Sequence, residues 1–178
     1  KSVTEIGIER SESPAQALMS LIKIAEDFKN ANPNYAGGIE AIAGKAMSEE
    51  DVKVFMAWPE AIICSDGNAG GHPRGYGAFT RVLGKYVREE KVLPIEKAIY
   101  KMTGKSADFF GFKDRGRIAV GHYADLVLLD PNTVKDQANI KNSHALSTGI
   151  EMVWVNGTLV YQAQKSTGKQ PGVLIKRK

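Results

Sequence analysis

The chain has 178 residues, 43% hydrophobic and 25% charged, the composition of an ordinary soluble globular protein with a sizeable core. Its single cysteine, Cys64, excludes an intrachain disulfide, and no apolar run reaches the length of a membrane helix. The net charge of +4 comes from the end of the chain, where Lys165, Lys169, Lys176, Arg177 and Lys178 face no acid. A solvated tail rather than a nucleic-acid surface is the expectation, so neither nucleic acid nor a membrane is an expected partner. Residues 1–10 are mixed and polar and carry no secretory pattern, which points to the cytoplasm.

Ser13-Pro14-Ala15-Gln16 predicts a helix start, with a hydroxyl cap, proline at the first position and Gln three after the cap. Leu18, Leu21, Ile22, Ala25 and Phe28 then share one face, to about Asn30. Residues 32–38 read as loop, with Pro33 and two glycines, and residues 39–43 as a short buried strand. Ser48-Glu49-Glu50-Asp51 caps a second helix, buried through Val52, Phe55 and Met56 and ended by Trp58-Pro59. Residues 61–64 are the next predicted strand. Helix, strand, helix, strand is the order of βα units around a parallel sheet.

That strand runs into Ser65-Asp66-Gly67, then a glycine-rich loop with His72 and Arg74. In a parallel sheet such a loop collects reactive side chains. Asp66-Gly67 is therefore either a plain turn or a carboxylate presented at a strand end. Gly75-Tyr76-Gly77 lacks the third glycine and the lysine of a phosphate loop, and Cys64 reads as core. Val82, Leu83, Tyr86 and Val87 mark a third helix. Pro94 opens a fourth, buried through Ile95, Ala98, Ile99 and Met102 and stopped by Gly104; a short turn of helix covers residues 106–110. Residues 117–120 and 125–129 then look like strands, and residues 150–155 and 158–161 flank the hairpin signal Asn156-Gly157. His122 and His144 read as structural or surface histidines. Two parallel strands do not make a domain, and a (β/α)₈ barrel takes about 250 residues. The expectation is the C-terminal portion of a larger protein.

Met47-Ser48-Glu49-Glu50-Asp51-Val52, Ser65-Asp66-Gly67, His72-Pro73-Arg74 and Phe79-Thr80-Arg81-Val82-Leu83-Gly84 together resemble the N-acyl-D-amino-acid deacylases (D-aminoacylases) of the metal-dependent amidohydrolase superfamily. Lys101-Met102-Thr103-Gly104, Asp114-Arg115-Gly116-Arg117-Ile118, residues 124–130, Val153-Trp154-Val155-Asn156-Gly157 and residues 167–172 carry the resemblance onward. It implies an α/β fold: the C-terminal part of a metal-dependent (β/α)₈ barrel plus part of a small β-sandwich domain. Residues 1–112 would be the last βα units, with the strands at 39–43 and 61–64 closing the barrel, and residues 113–178 part of the β domain and the tail.

The same resemblance implies a zinc-dependent hydrolase of N-acyl-D-amino acids, using one or two ions. Asp66 would be both a metal ligand and the general base and acid, and Arg74 would hold the substrate carboxylate. The remaining metal ligands would lie upstream. The chain alone is then expected to be inactive, with the missing N-terminal part, or a second copy, as its partner. A hydrolase of cyclic amides from the same superfamily and a non-catalytic binding module with a basic tail are the alternatives. His72 takes no assigned role.

Overall fold

The structure, a computed structural model, describes residues 1–35, 47–67 and 72–176. The chain divides into two compact units, Lys1–Ala46 and Met47–Lys178.

In the first unit, two reciprocal capping boxes start two helices. Ser2 and Glu5 cap α1 (Val3–Arg10); Ser13 and Gln16 cap α2 (Pro14–Ala31), with Pro14 at its first position. Gly7 permits the tight turn between them, since a Cβ there would lie 2.8 Å from the Glu12 carbonyl oxygen. Ala17 is buried, but Ile22 and Phe28 of the predicted apolar face are exposed. α1 is absent from the predicted elements, although Ser2 and Glu5 carry a capping signal.

The second unit opens with α3 (Glu49–Ala57), whose Ser48–Asp51 capping box and three first-turn acids suit the positive end of the helix. An irregular segment, residues 58–67, leads to the candidate site. Next come α4 (Arg74–Arg81) and, directly continuous with it, a π-helical segment, Val82–Glu89. The wider winding ends with the Glu90 N–H donating to the Lys85 carbonyl at 2.8 Å. α5 (Ile95–Met102) and α6 (Gly104–Phe110) follow. A four-stranded antiparallel sheet closes the unit, in the order β1 (Leu126–Leu129), β2 (Ile150–Val155), β3 (Thr158–Gln162), β4 (Lys165–Ser166). Asn156 (φ 48°) and Gly157 (φ 76°) form the tight β2–β3 turn, with Val155 opposite Thr158. No helix among the described residues is long and apolar enough to cross a membrane.

The core of the second unit centres on the π-helical segment. Val82, Leu83 and Tyr86 of the π-helical segment meet Leu93, Ala98 and Val134. Val52 and Met56 of α3, Ile63 of the irregular segment, and Leu129 and Ile150 of the sheet pack around them. The long β1–β2 connection is pressed on this helix at Gly84 and folds tightly on itself at Gly149. A Cβ on Gly84 would lie 2.9 Å from the Val134 carbonyl oxygen, and one on Gly149 (φ +72°) only 2.3 Å from the Val134 nitrogen.

Several expectations change. Residues 61–64 are not a strand: Ile63 N–H donates to the Lys101 carbonyl of α5 at 3.4 Å, and no ladder forms with any described segment. Residues 117–120 are likewise irregular, with Ile118 and Val120 exposed. Both stretches have strand composition but no described neighbour to pair with, and a strand exists only in a ladder. Cys64 is exposed for the same reason. Gly104 does not stop α5. The break falls at Thr103, and Gly104 begins α6, where a Cβ would press on the Tyr100 ring at 3.0 Å. Phe55 and Ile99, expected inside, are exposed. The strand predicted at residues 39–43 lies outside the described residues.

Candidate active site

The site begins where α3 ends. Pro59 follows the terminal Trp58, the chain turns out of the helix, and Ile63 anchors it in the core. Ser65-Asp66-Gly67 then forms a tight turn, with Asp66 in the left-handed region (φ 46°) and the Gly67 N–H donating to Ser65 Oγ at 3.2 Å. Gly67 lies hard against α4: a Cβ there would sit 2.8 Å from Gly75 Cα. Glycine is needed for that approach, and it brings the Asp66 turn onto the first turn of the helix.

His72 and Arg74 complete this corner. His72 Nδ1 accepts the Arg74 backbone N–H at 3.1 Å, and its carbonyl accepts the Gly75 N–H at 3.2 Å. The imidazole thus satisfies a donor that would otherwise be orphaned at the start of α4. Arg74 reaches back so that Nη2 lies 3.1 Å from Asp66 Oδ2. The residues predicted as base and carboxylate binder are therefore directly paired. The Asp66 side chain is 73% exposed and that of Arg74 41%, so the pair faces solvent and is free to exchange partners.

Arg74 lines an open pocket of about 370 Å³ together with Ile63, Cys64, His72, Arg81 and Asp136; Asp66 reaches it only through its pairing with Arg74. The far side of the pocket is built by the β1–β2 connection. Arg81 Nη1 meets Asp136 Oδ2 at 3.1 Å, Thr80 and Ser147 share a hydroxyl hydrogen bond of 2.6 Å, and Ser147 Oγ donates to the Tyr76 carbonyl at 3.1 Å. Gly77 is again the close contact, since a Cβ there would lie 3.1 Å from Asp136 Cβ. Sequence reasoning missed Asp136 and Ser147 because they lie 55 and 67 residues from their partners, with no local motif. Arg81 lay within a quoted motif but had no assigned role. His122 and His144 stay outside the pocket lining, and His144 packs edge-on against Tyr76.

Asp66 is the kind of oxygen donor that zinc accepts, but a catalytic zinc takes about three protein ligands. Among the described residues no group of three His, Cys, Asp or Glu side chains comes together to hold an ion. These residues do not make a metal site by themselves.

Comparison with known proteins assigns the chain to a family. The amidohydrolase family model matches residues 45–161, which takes in α3, the Asp66 turn, α4 and the first three strands. The chain belongs to the amidohydrolase family. Within it, the chain is 44% identical over 135 residues to the N-acyl-D-glutamate deacylase of Alcaligenes xylosoxydans xylosoxydans, covering 74% of this chain and 28% of that protein. It is 42% identical over 134 residues to the D-aminoacylase of the same organism, again 74% of this chain and 28% of the relative. Among solved structures, the N-acyl-D-glutamate deacylase of Bordetella bronchiseptica, complexed with zinc and a phosphonate mimic of the tetrahedral intermediate, superposes with a TM-score of 0.68. That match has 35% identity and covers 89% of this chain and 31% of the other. The chain spans less than a third of the length of these relatives.

Proposed function

We infer that the protein to which this chain belongs hydrolyses the amide of N-acyl-D-amino acids, releasing a D-amino acid and a carboxylic acid. The chain would supply the C-terminal part of the enzyme: residues 1–112 as the last βα units of a (β/α)₈ barrel, and residues 113–178 as part of a small β domain. Zinc is the expected metal, with most of its ligands on residues outside this chain.

The observation that carries this reading is the direct pairing of Asp66 with Arg74, which itself lines an open pocket. Amide hydrolysis needs a group that takes a proton from the attacking water and returns it to the leaving nitrogen. In this reading Asp66 does both; its exposure to solvent and its left-handed backbone support the assignment. Arg74 offers a planar fork for a free carboxylate, the group every N-acyl amino acid carries next to its scissile amide. A substrate carboxylate can replace Asp66 on the guanidinium, and the released Asp66 carboxylate then faces the amide. Recognition and chemistry are thereby adjacent on one corner of the fold.

The test is a substrate panel on the full-length protein. N-acyl-D-amino acids should be turned over, with their L-enantiomers and cyclic amides far behind. Preference for a cyclic amide would replace this reading with the cyclic-amide hydrolase.

A further inference from the structure

Behind the candidate site lies a buried lysine held by main-chain oxygens. Lys101, in the last turn of α5, is 5% exposed. Its ammonium donates to the carbonyl of Trp58 and, at 3.3 Å, to that of Ala61. Its own carbonyl accepts the Ile63 N–H at 3.4 Å. Four residues on, Lys105 Nζ donates to the Pro59 carbonyl at 2.7 Å and meets the Glu60 carboxylate at 3.0 Å. Burial holds the Lys101 ammonium below the usual lysine pKa, so keeping it there has a cost that its contacts must offset.

The local physics says why these contacts exist. α3 ends with no basic residue in its last turn, leaving terminal carbonyls and the negative end of its dipole unsatisfied from within. From α5, Lys101 supplies a donor to the Trp58 carbonyl at the end of α3, and from α6 Lys105 supplies one to the Pro59 carbonyl just beyond it. They also hold a segment that has no strand partner among the described residues. That segment, gripped at residues 58, 59, 61 and 63, carries Asp66 only three residues beyond its last hold.

Resting on the reading of Asp66 as the base, we propose that Lys101 is a positioning residue for it: by clamping the Trp58 and Ala61 carbonyls to α5, its ammonium fixes the path on which the Asp66 carboxylate meets Arg74. The pairing geometry of Asp66 is then set from a different helix than the one that carries Arg74. Lys101→Met removes the donors while keeping most of the volume, and Lys101→Arg retains donors for both carbonyls.

The experiment compares these variants in the full-length protein by hydrogen exchange and steady-state kinetics. Lys101→Met should raise exchange over residues 61–67 about tenfold or more and leave residues 150–162 unchanged. It should lower kcat about tenfold or more with KM nearly unchanged, because a misplacement near 1 Å is costly to catalysis. Lys101→Arg should restore both. Unchanged exchange over 61–67, or a uniform rise across the protein, overturns the proposal. Reductive methylation of the unmodified protein needs no variant. Lys101 should react much more slowly than Lys97, and equal labelling also overturns the clamp. Asp66→Asn measured in parallel separates the two ideas. Retained turnover there removes the catalytic reading of Asp66, whereas failure of the exchange and labelling results removes Lys101 alone.

Discussion

Arg74→Ala separates recognition from folding. The Asp66–Arg74 pair is solvent-facing, with side chains 73% and 41% exposed, so its loss should cost at most about 1 kcal/mol of stability. The backbone N–H that His72 holds at the start of α4 is untouched by the substitution. A charge-assisted contact from guanidinium to substrate carboxylate is worth about 1.5–3 kcal/mol. At 1.36 kcal/mol per factor of ten, KM for an N-acyl-D-amino acid should rise about 10- to 150-fold. The assay is steady-state kinetics of the full-length protein on an N-acyl-D-amino acid and on its methyl ester, with thermal melting alongside. The free acid should lose far more than the ester, and the melting temperature should barely move. An equal KM change for acid and ester, or none for the acid, would refute the carboxylate role. A large drop in melting temperature would refute the estimate of the pair's stability.

Gly149→Ala should destabilise the second unit by about 2–5 kcal/mol, from left-handed strain plus a clash with the Val134 backbone; a urea-unfolding loss under about 1 kcal/mol would contradict the packing of the β1–β2 connection. Burial and the neighbouring Glu49 carboxylate raise the Tyr86 phenol above its usual pKa. Its contribution is therefore fully present below the unfolded phenol value and lost as pH rises through the folded one. Relative to Tyr86→Phe, the unmodified protein should lose stability only above the ordinary phenol range, and pH-independent parallel curves would remove the effect. In a zinc titration followed by calorimetry, the 178-residue chain alone should show no tight stoichiometric uptake; tight one-to-one binding would overturn the ligand count given for Asp66.

The parts legible in the sequence were those set locally. Ser13-Pro14-Ala15-Gln16 and Ser48-Glu49-Glu50-Asp51 carry their own caps, and α2 and α3 start where those signals put them. Asn156-Gly157 forms the hairpin because both residues tolerate the left-handed turn. Asp66 and Arg74, eight residues apart across a glycine-rich stretch, were readable as candidates, and the structure pairs them.

What was illegible depends on distant partners. The residue patterns at 61–64 and 117–120 do not reveal whether a neighbouring strand is present, and a ladder needs one. The π-helical winding at Val82–Glu89 goes with the close approach of Val134 to Gly84, 50 residues away in sequence, where no periodicity signal reaches. Lys101 looks like a surface lysine in a helical pattern; its burial follows from where the carbonyls of Trp58 and Ala61 fall.

The most direct test of the account is Asp66→Asn in the full-length protein. The substitution keeps the side chain's size but removes its negative charge, and with it the capacity to take and return a proton. The expected result is a loss of kcat of about 10²–10⁴-fold on an N-acyl-D-amino acid, with folding intact as judged by circular dichroism and melting. A variant that turns over at close to the unmodified rate would make Asp66 a turn residue and contradict the mechanism.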